Sequence, residues 1–335
     1  MTAKKALHTT FRWIGRFLLA GLILAAGLII FLLVRESITR RNYHAEYPPP
    51  GERVDLGTHS IHLNCTGSGS PTVLFESDLD QYGVLSWALV QPAIAEFTRA
   101  CSYDRAGILW SDPGPLPRDG ETIARELEAV LNVAGEEGPY VLVGHAFGGA
   151  YARIFTGLYR DQVCGMVLLE SSHPEMLDRF EALGVKPDIP DQGIRPLISL
   201  LSHLGSPGRY KGNPYNLPPE IYNPMEAYLP ESSMAWFDES VESPQTLAQA
   251  GMFTDFGDLP LIVMADSQAP SSLGAQGEAI QSLWNDLQQE LLLLSDDSEL
   301  RVGKIGHYPQ IQNPEQVIMA IQDVVDRCAG AAAIP

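Results

Sequence analysis

The first 50 residues differ from the rest of the chain because they contain an uncharged apolar run, residues 17–34. Lys4, Lys5, Arg12 and Arg16 come before it, and Arg35, Arg40 and Arg41 follow it. Eighteen residues rising ~1.5 Å each in a helix span about the hydrocarbon thickness of a bilayer. The run has no small-residue cleavage site near its end, so it predicts an uncleaved membrane anchor rather than a removed signal peptide.

From residue 51 the pattern alternates between short apolar runs and helical periodicities. Residues 53–56 and 60–65 predict an antiparallel hairpin. Six apolar runs predict strands, and helices are expected over residues 86–97, 121–134, 150–159, 276–294 and 314–327. The strands are expected over residues 72–76, 99–104, 163–169, 259–265 and 300–305, with a further one over 140–143. Strands that alternate with helices predict a mostly parallel sheet covered on both faces.

The alternation stops between residues 172 and 257, where prolines and aromatic residues are frequent. An interruption of this length is too long for a plain loop. We therefore expect residues 1–50 to form an anchor and linker, residues 51–171 and 258–335 a core, and residues 172–257 a helical cap. Its aromatic residues are expected to line an apolar pocket or to form the cap's own small core: Tyr210, Tyr215, Tyr222, Tyr228, Trp236 and Phe237.

Three short motifs occur in the order and spacing of a known fold. They are Ser-Tyr-Asp-Arg-Ala-Gly at 102–107, Gly-His-Ala-Phe-Gly-Gly at 144–149 and Gly-His-Tyr at 306–308. With them, residues 52–328 resemble an α/β-hydrolase of the lidded esterase, haloalkane dehalogenase and epoxide hydrolase type. In that family the second motif is the nucleophile elbow, written G-x-S-x-G, in which a strand turns sharply into a helix. Here alanine, Ala146, stands at the nucleophile position.

The resemblance implies a role for each remaining site residue. His307, after the last strand, matches the catalytic base. Glu170, which ends the strand after the elbow, is the expected acid, with Asp266 as the alternative. The backbone N–H groups of Leu79 and Phe147 are the expected oxyanion-hole donors.

Several charged residues beside this expected site have a structural interpretation. Asp78 and Asp80 flank Leu79, and their carboxylates would oppose an oxyanion if they pointed inward. We expect them to point to solvent or to cap the next helix. Asp104 is expected to pair with Arg105, and His145 to have a structural or pocket-lining role.

Charge and cysteine content narrow the class of protein further. The formal net charge of −19 argues against binding to nucleic acid, whose phosphates would be repelled. No histidine spacing indicates a metal, and no glycine-rich motif opening a helix indicates a dinucleotide, so no cofactor is expected. The fold implied by the resemblance would pair Cys65 with Cys101 and Cys164 with Cys328, which suits an extracytoplasmic domain.

These features favour a membrane-anchored hydrolase of carboxylic esters, acting by a Ser-His-acid triad. Because Ala146 replaces the nucleophile, the chain as written is expected to be nearly inactive. The alternative hypothesis is a natural pseudo-hydrolase that binds a small apolar ligand under the cap. A third is a scaffold on the membrane, although such a role would not require His307. The substrate itself is not encoded in these motifs.

Overall fold

An eight-stranded sheet lies at the centre of the chain after residue 50. The computed structural model describes residues 2–205, 212–213, 215–268 and 274–332. The strand order is β1-β2-β4-β3-β5-β6-β7-β8; β2 is antiparallel to β1 and β4, and the other pairs are parallel. The strands are β1 (Glu52–Asp55), β2 (Ser60–Thr66), β3 (Thr72–Glu76), β4 (Ala100–Tyr103), β5 (Tyr140–His145), β6 (Val163–Leu169), β7 (Leu261–Asp266) and β8 (Ser298–Gly303).

Helices cover both faces of the sheet, as the alternation predicts. A core containing Leu127, Tyr151 and Phe155 packs on one face, and a core containing Trp87, Val317 and Ile321 packs on the other. The helices are α1 (Thr2–Glu46), α2 (Gln91–Ile94), α3 (Gly120–Ala134), α4 (Phe147–Leu158), α5 (Met176–Ala182), α6 (Arg195–His203), α7 (Pro219–Val241), α8 (Ser243–Gly251), α9 (Gly274–Glu290), α10 (Pro309–Gln312) and α11 (Pro314–Ala332).

The helix expected over residues 86–97 is wrong. A 3₁₀ turn, Gly83–Trp87, and the short α2 replace it. Pro92 lies in the first turn of α2, where its missing N–H is harmless. A helix running through from Ser86 would place the Pro92 ring against a preceding carbonyl and lose a hydrogen bond, so the proline forces a new start.

The segment between β6 and β7 is helical. It contains α5 to α8, of which α8 packs against α3 and α4 of the core. α7 is tied to the core by a buried ion pair in which Arg105 lies 2.9 Å from Glu239. Tyr210 of this segment lies outside the described residues.

The apolar run lies within α1. Within the described residues, Phe11–Glu46 is the one helical stretch long and apolar enough to cross a membrane, with a mean hydropathy of 3.0 over its most apolar window. That window is not buried against protein. A signal sequence near the N-terminus would meet the same criterion.

The polar end of α1 is not a detached linker. Arg40 donates a 2.5 Å hydrogen bond to the Ser202 carbonyl of α6, and the ring of His44 stacks on Tyr228 of α7 at 5.0 Å. The carbonyl of Tyr47 accepts a hydrogen bond from the Trp110 indole at 2.9 Å. The segment after the apolar run is therefore packed on the domain.

Both expected disulfides are present. Cys65 and Cys101 are paired across neighbouring strands β2 and β4, and Cys164 at the start of β6 is joined to Cys328 on α11. No free cysteine occurs in the described chain. The first bridge therefore links β2 to β4, and the second attaches α11 to β6.

Loop length predicts which disulfide contributes more to stability. The sequence separations are 36 residues for Cys65–Cys101 and 164 for Cys164–Cys328. Since a longer closed loop restricts the unfolded chain more, these correspond to upper values of about 4 and about 5 kcal/mol. We expect Cys164→Ala with Cys328→Ala to lower the free energy of unfolding by about 1 kcal/mol more than Cys65→Ala with Cys101→Ala. Denaturant titration of the two double variants measures this difference; the reverse order would contradict it.

Candidate active site

Ala146 occupies a strained turn between β5 and α4. Its backbone angles are φ 48° and ψ −115°, a left-handed conformation that non-glycine residues rarely adopt. The flanking glycines are required by close backbone contacts: a Cβ on Gly144 would lie 2.6 Å from the carbonyl oxygen of Gly148, and one on Gly148 would collide with the carbonyl of Glu76. The alanine is therefore held at the sheet's carboxyl edge by a backbone that leaves no room for larger neighbours.

The carboxylate of Asp78 points into this turn, contrary to the expectation that it faces solvent or caps a helix. Its Oδ1 accepts hydrogen bonds from the Phe147 N–H at 3.0 Å and from the Leu79 N–H at 2.7 Å. These are the two N–H groups expected to hold an oxyanion. An anion therefore occupies their meeting point, and it is supplied by the chain itself.

Asp80 also differs from the expectation that it faces solvent. Its side chain is buried; Oδ1 accepts from the Tyr82 N–H at 2.9 Å, and Oδ2 is buried with no partner in the described residues. Burial, followed by the nearby Asp78 carboxylate, raises the pKa of Asp80 to about 8.

Arg105 fixes the loop that carries Asp78. Its guanidinium donates to the Ser77 carbonyl at 2.9 Å and to the Asp78 carbonyl at 2.6 Å. The expected pairing of Arg105 with Asp104 is wrong, because Glu239 of α7 provides the counter-charge. Sequence neighbours on an extended chain point in opposite directions, so the two side chains cannot easily meet.

Asp104 has different partners. Its carboxylate lies 2.7 Å from the His62 Nδ1 and accepts from the Val84 N–H at 2.8 Å, and the side chains of Asp104 and His62 are fully buried. Asp104 therefore organises the loop beneath the 3₁₀ turn rather than neutralising Arg105.

Glu170 and Asp266 lie side by side at the ends of β6 and β7. Glu170 has φ 47°; its Oε1 accepts the Asp266 N–H at 2.6 Å and its Oε2 accepts the Trp284 indole N–H at 3.1 Å. Burial raises the pKa of Glu170 to about 7, although both donated hydrogen bonds favour the ionised form. The two expected acid positions are thus neighbours, and Glu170 is the more enclosed.

His307 lies on an exposed loop that His145 anchors. The His145 Nε2 lies 2.7 Å from the His307 carbonyl oxygen, which can only accept, so Nε2 carries a proton. Burial lowers the pKa of His145, which favours the neutral ring. In the described part of the chain, no hydrogen bond joins the His307 ring to Glu170 or Asp266. The expected role of His145 is thereby sharpened, since it positions the loop that carries His307.

Of the expected site residues, all but Leu79 line one cavity of about 420 Å³. Its apolar wall comes from α5 and α9, where the rings of Phe180 and Trp284 stack at 6.2 Å. This wall could not be predicted from the sequence, because helical periodicity shows that a face is apolar without showing which cavity it meets. The lining is Asp78, Ala146, Phe147, Glu170, Ser172, Met176, Phe180, Asp266, Gln268, Ile280, Gln281, Trp284 and His307.

One group of possible metal ligands occurs in the described residues, away from this cavity. It consists of Cys65, Cys101 and Glu136. Both sulfur atoms are already joined in a disulfide, so this group offers no thiolate.

The raised pKa of Glu170 predicts a pH dependence of stability. A carboxyl whose pKa rises from 4.5 to about 7 on folding stabilises the fold below pH 4.5, and this contribution is lost as pH rises through 7. Glu170→Gln keeps a neutral side chain throughout this range. We expect its free energy of unfolding to rise, relative to that of the unmodified chain, by up to about 3 kcal/mol between pH 4.5 and pH 7.5. The free energy of unfolding in detergent, measured across this range, checks this. Glu181→Gln, on the exposed part of α5, is the control; parallel profiles for all three chains would contradict the prediction.

Comparison with known proteins gives one family. The model described as alpha/beta hydrolase family matches residues 67–320. The uncharacterized protein YqjL of Bacillus subtilis is 23% identical over 79% of this chain and 87% of its own length. An uncharacterized vacuolar membrane protein of Saccharomyces cerevisiae is 31% identical over 36% of this chain and 21% of its own length. A probable transporter of Hormonema carpetanum is 30% identical over 36% and 18%, so the chain spans only about a fifth of these two relatives.

Solved structures agree on the fold. An esterase from Thermogutta terrifontis is 19% identical and superposes with a TM-score of 0.55, covering 83% of this chain and 99% of the esterase. A probable hydrolytic enzyme from Pseudomonas aeruginosa is 18% identical with a TM-score of 0.62, covering 83% and 95%. The matched residues include strands β3 to β8 and all residues that line the candidate site. The chain therefore belongs to the alpha/beta hydrolase family.

Proposed function

We propose that this chain is a membrane-anchored pseudo-hydrolase whose 420 Å³ cavity binds a small apolar molecule without acyl transfer. The main support is that the Asp78 Oδ1 accepts hydrogen bonds from both the Leu79 and the Phe147 N–H groups. Acyl transfer needs such donors for the negative charge that develops on the carbonyl oxygen. A resident carboxylate occupies both donors and repels that charge.

The nucleophile position gives independent support. Ala146 has no hydroxyl with which to attack a carbonyl, although its backbone has the strained form expected of a nucleophile elbow. Restoring the hydroxyl alone would leave Asp78 in place. Two separate departures, in different parts of the chain, thus block the same reaction.

The apolar wall argues for ligand binding. Met176, Phe180, Ile280 and Trp284 line the cavity together with polar groups that include Glu170 and His307. A mostly apolar cavity with a few converging polar groups is typical of small-molecule sites. We infer that residues 172–257 act as a cap, since α5 supplies part of this wall and α7 is bound to the core through Glu239.

Anchoring and orientation belong to the same proposal. The exposed apolar surface of α1 would lie in the bilayer, and the remaining chain would form an extracytoplasmic domain. Two disulfides support this side of the membrane, because such bonds persist in oxidising compartments.

A second candidate function is hydrolysis of a carboxylic ester, which would require a serine at position 146. It is favoured by the backbone of Ala146 and by His307, which line the same cavity. In this case His307 would act as the base and Glu170, or alternatively Asp266, would orient it. The two candidates predict different effects of Asp78 on the rate of ester hydrolysis once a serine stands at position 146.

Restoring the serine separates these candidates. We expect Ala146→Ser alone to leave the hydrolysis of p-nitrophenyl butyrate at background. Ala146→Ser with Asp78→Ala should raise the rate at least about 100-fold, because freed oxyanion-hole donors contribute about that much each. Adding His307→Ala should abolish the gain. Full turnover by Ala146→Ser alone would overturn the pseudo-hydrolase proposal and favour the ester hydrolase.

Ligand binding is measured on the unmodified chain. A non-hydrolysable p-nitrophenyl butyl ether should quench the fluorescence of Trp284 in a saturable way, and Trp284→Phe should lose that quenching. Absence of saturable quenching would contradict an apolar site in this cavity.

A further inference from the structure

A second cavity, of about 290 Å³, has four tyrosines in its walls. Tyr82 comes from the loop after β3, Tyr215 and Tyr222 from the cap, and Tyr308 from the loop after β8. Tyr308 follows His307, so the two cavities share one loop. Nothing in the proposed function uses this second space.

The tyrosine rings are inclined to one another around Tyr308. The ring centroids of Tyr82 and Tyr308 are 6.1 Å apart with an interplanar angle of 53°, and those of Tyr215 and Tyr308 are 5.4 Å apart at 55°. Tilted aromatic rings form adjoining walls rather than a flat stack. The faces of such rings carry partial negative charge and attract cations.

The electrostatics of the cavity also favour a cation. Glu226 is in its lining, and the described lining contains neither lysine nor arginine. Burial raises the pKa of Tyr215 and of Tyr308, so both side chains present neutral phenol rings. The Glu226 side chain is therefore the acidic group of this lining that favours a cation.

Most of the remaining lining is apolar, and it selects among cations. Leu217, Met225 and Leu229 supply this part of the wall, beside Gly212 and Asn213, and the Asn213 amide is already bonded to the Leu217 backbone. A primary ammonium carries three N–H donors that would lose water against such a surface. A quaternary ammonium has no N–H group to satisfy, and its methyl groups suit apolar and aromatic contacts.

We propose that the cavity lined by Tyr82, Tyr215, Tyr222, Tyr308 and Glu226 binds a quaternary ammonium group of the choline type. The group could be free choline or the headgroup of a phosphatidylcholine. The site is separate from the cavity of the proposed function and does not depend on it.

The test compares choline with 3,3-dimethyl-1-butanol, its neutral isostere. Isothermal titration of the full chain in a maltoside detergent should show saturable choline binding at least about tenfold tighter than binding of the alcohol. Tyr215→Leu should weaken choline binding about tenfold, and Tyr215→Phe should keep it within about threefold, because phenylalanine retains the ring face. Glu226→Gln should weaken choline binding and leave alcohol binding unchanged.

Equal affinity for choline and the alcohol would overturn the proposal, as would choline binding that Tyr215→Leu leaves intact. If Tyr215→Leu fails to fold, thermal protection of the unmodified chain by choline and not by the alcohol still decides the question. Nanodiscs distinguish the two sources. Weaker choline binding in phosphatidylcholine discs than in phosphatidylglycerol discs supports the lipid headgroup, and equal binding supports free choline.

A different observation concerns α6, whose apolar side faces outward. Ile194, directly before the helix, and Leu197 and Leu200 within it are 43%, 53% and 46% exposed. Their spacing of three residues places them along one face of the helix. The opposite side is polar and faces α7, since Arg195 pairs with Asp238 at 2.6 Å and the Ser202 hydroxyl donates to the Pro230 carbonyl at 2.5 Å.

The C-terminal end of α6 lies next to the polar segment that follows the apolar run in α1. Arg40, which bonds the Ser202 carbonyl of α6, is six residues after Val34, or ~9 Å along a helix. The headgroup layer of a bilayer is roughly 5–8 Å thick on each side. The end of α6 therefore lies at the outer boundary of the lipid headgroups if residues 17–34 span the membrane.

We infer that the face formed by Ile194, Leu197 and Leu200 rests on the bilayer in which α1 is anchored. This inference depends on the anchoring proposed above. A helix with an apolar face at the interface lies in the membrane plane, with that face among the lipid chains.

Site-directed fluorescence tests this contact. Described cysteines are all disulfide-bonded, so Leu197→Cys would provide a single thiol for a bimane label. In proteoliposomes, lipids with a doxyl group on the acyl chain should quench the label at position 197 at least about twofold more than a label at Met319→Cys, an exposed position on α11. Equal quenching would overturn the inference. Flotation of the unlabelled chain with the liposomes separates this outcome from a failure of anchoring.

Discussion

The buried guanidinium of Arg105 is the interaction on which the candidate site depends. Removing a cation from water is costly unless it is paired and fully hydrogen-bonded. Glu239 supplies the counter-charge, and the centre of the Tyr151 ring lies 4.8 Å from the guanidinium carbon. The carbonyls of Ser77 and Asp78 accept hydrogen bonds from the guanidinium. One cation thus fixes the loop that carries Asp78 and ties the α7 segment to the sheet.

The consequence is an anion held at a defined place. Because Arg105 fixes the backbone at Ser77 and Asp78, the Asp78 side chain reaches the N–H groups of Leu79 and Phe147. Glu76, nearby on the same segment, is buried against the Tyr103 hydroxyl, and burial raises its pKa to about 8. The edge of the sheet therefore gathers several carboxyl groups, and the binding without acyl transfer proposed for this chain follows from the position of Asp78 among them.

The loop at residues 306–308 links the two cavities. His145 holds the backbone of His307, which borders the first cavity, and Tyr308 forms a wall of the second. The rings of His145 and Tyr308 are 4.9 Å apart, so one short segment serves both spaces. The two cavities are therefore bordered by residues that are adjacent along the chain.

The sequence by itself determined the features that depend on near neighbours or on a fixed topology. The glycines at 144 and 148 mark the turn at Ala146, the strand order pairs the four cysteines, and the uncharged run marks α1. It also brought Ala146, Glu170, Asp266 and His307 to one cavity, since carboxyl ends of parallel strands meet at the same edge. The break at Pro92 was also predictable from the sequence, but the apolar periodicity around it favoured a continuous helix.

Only the tertiary structure decided the direction of Asp78 and the partner of Arg105. Glu239 is 134 residues away from Arg105, and no local pattern connects them. Asp78 turns inward because two N–H groups from separate segments converge there, which a linear pattern does not record. Periodicity reports which face of an element is apolar; the meeting of distant charges, donors and rings is fixed only when the elements pack.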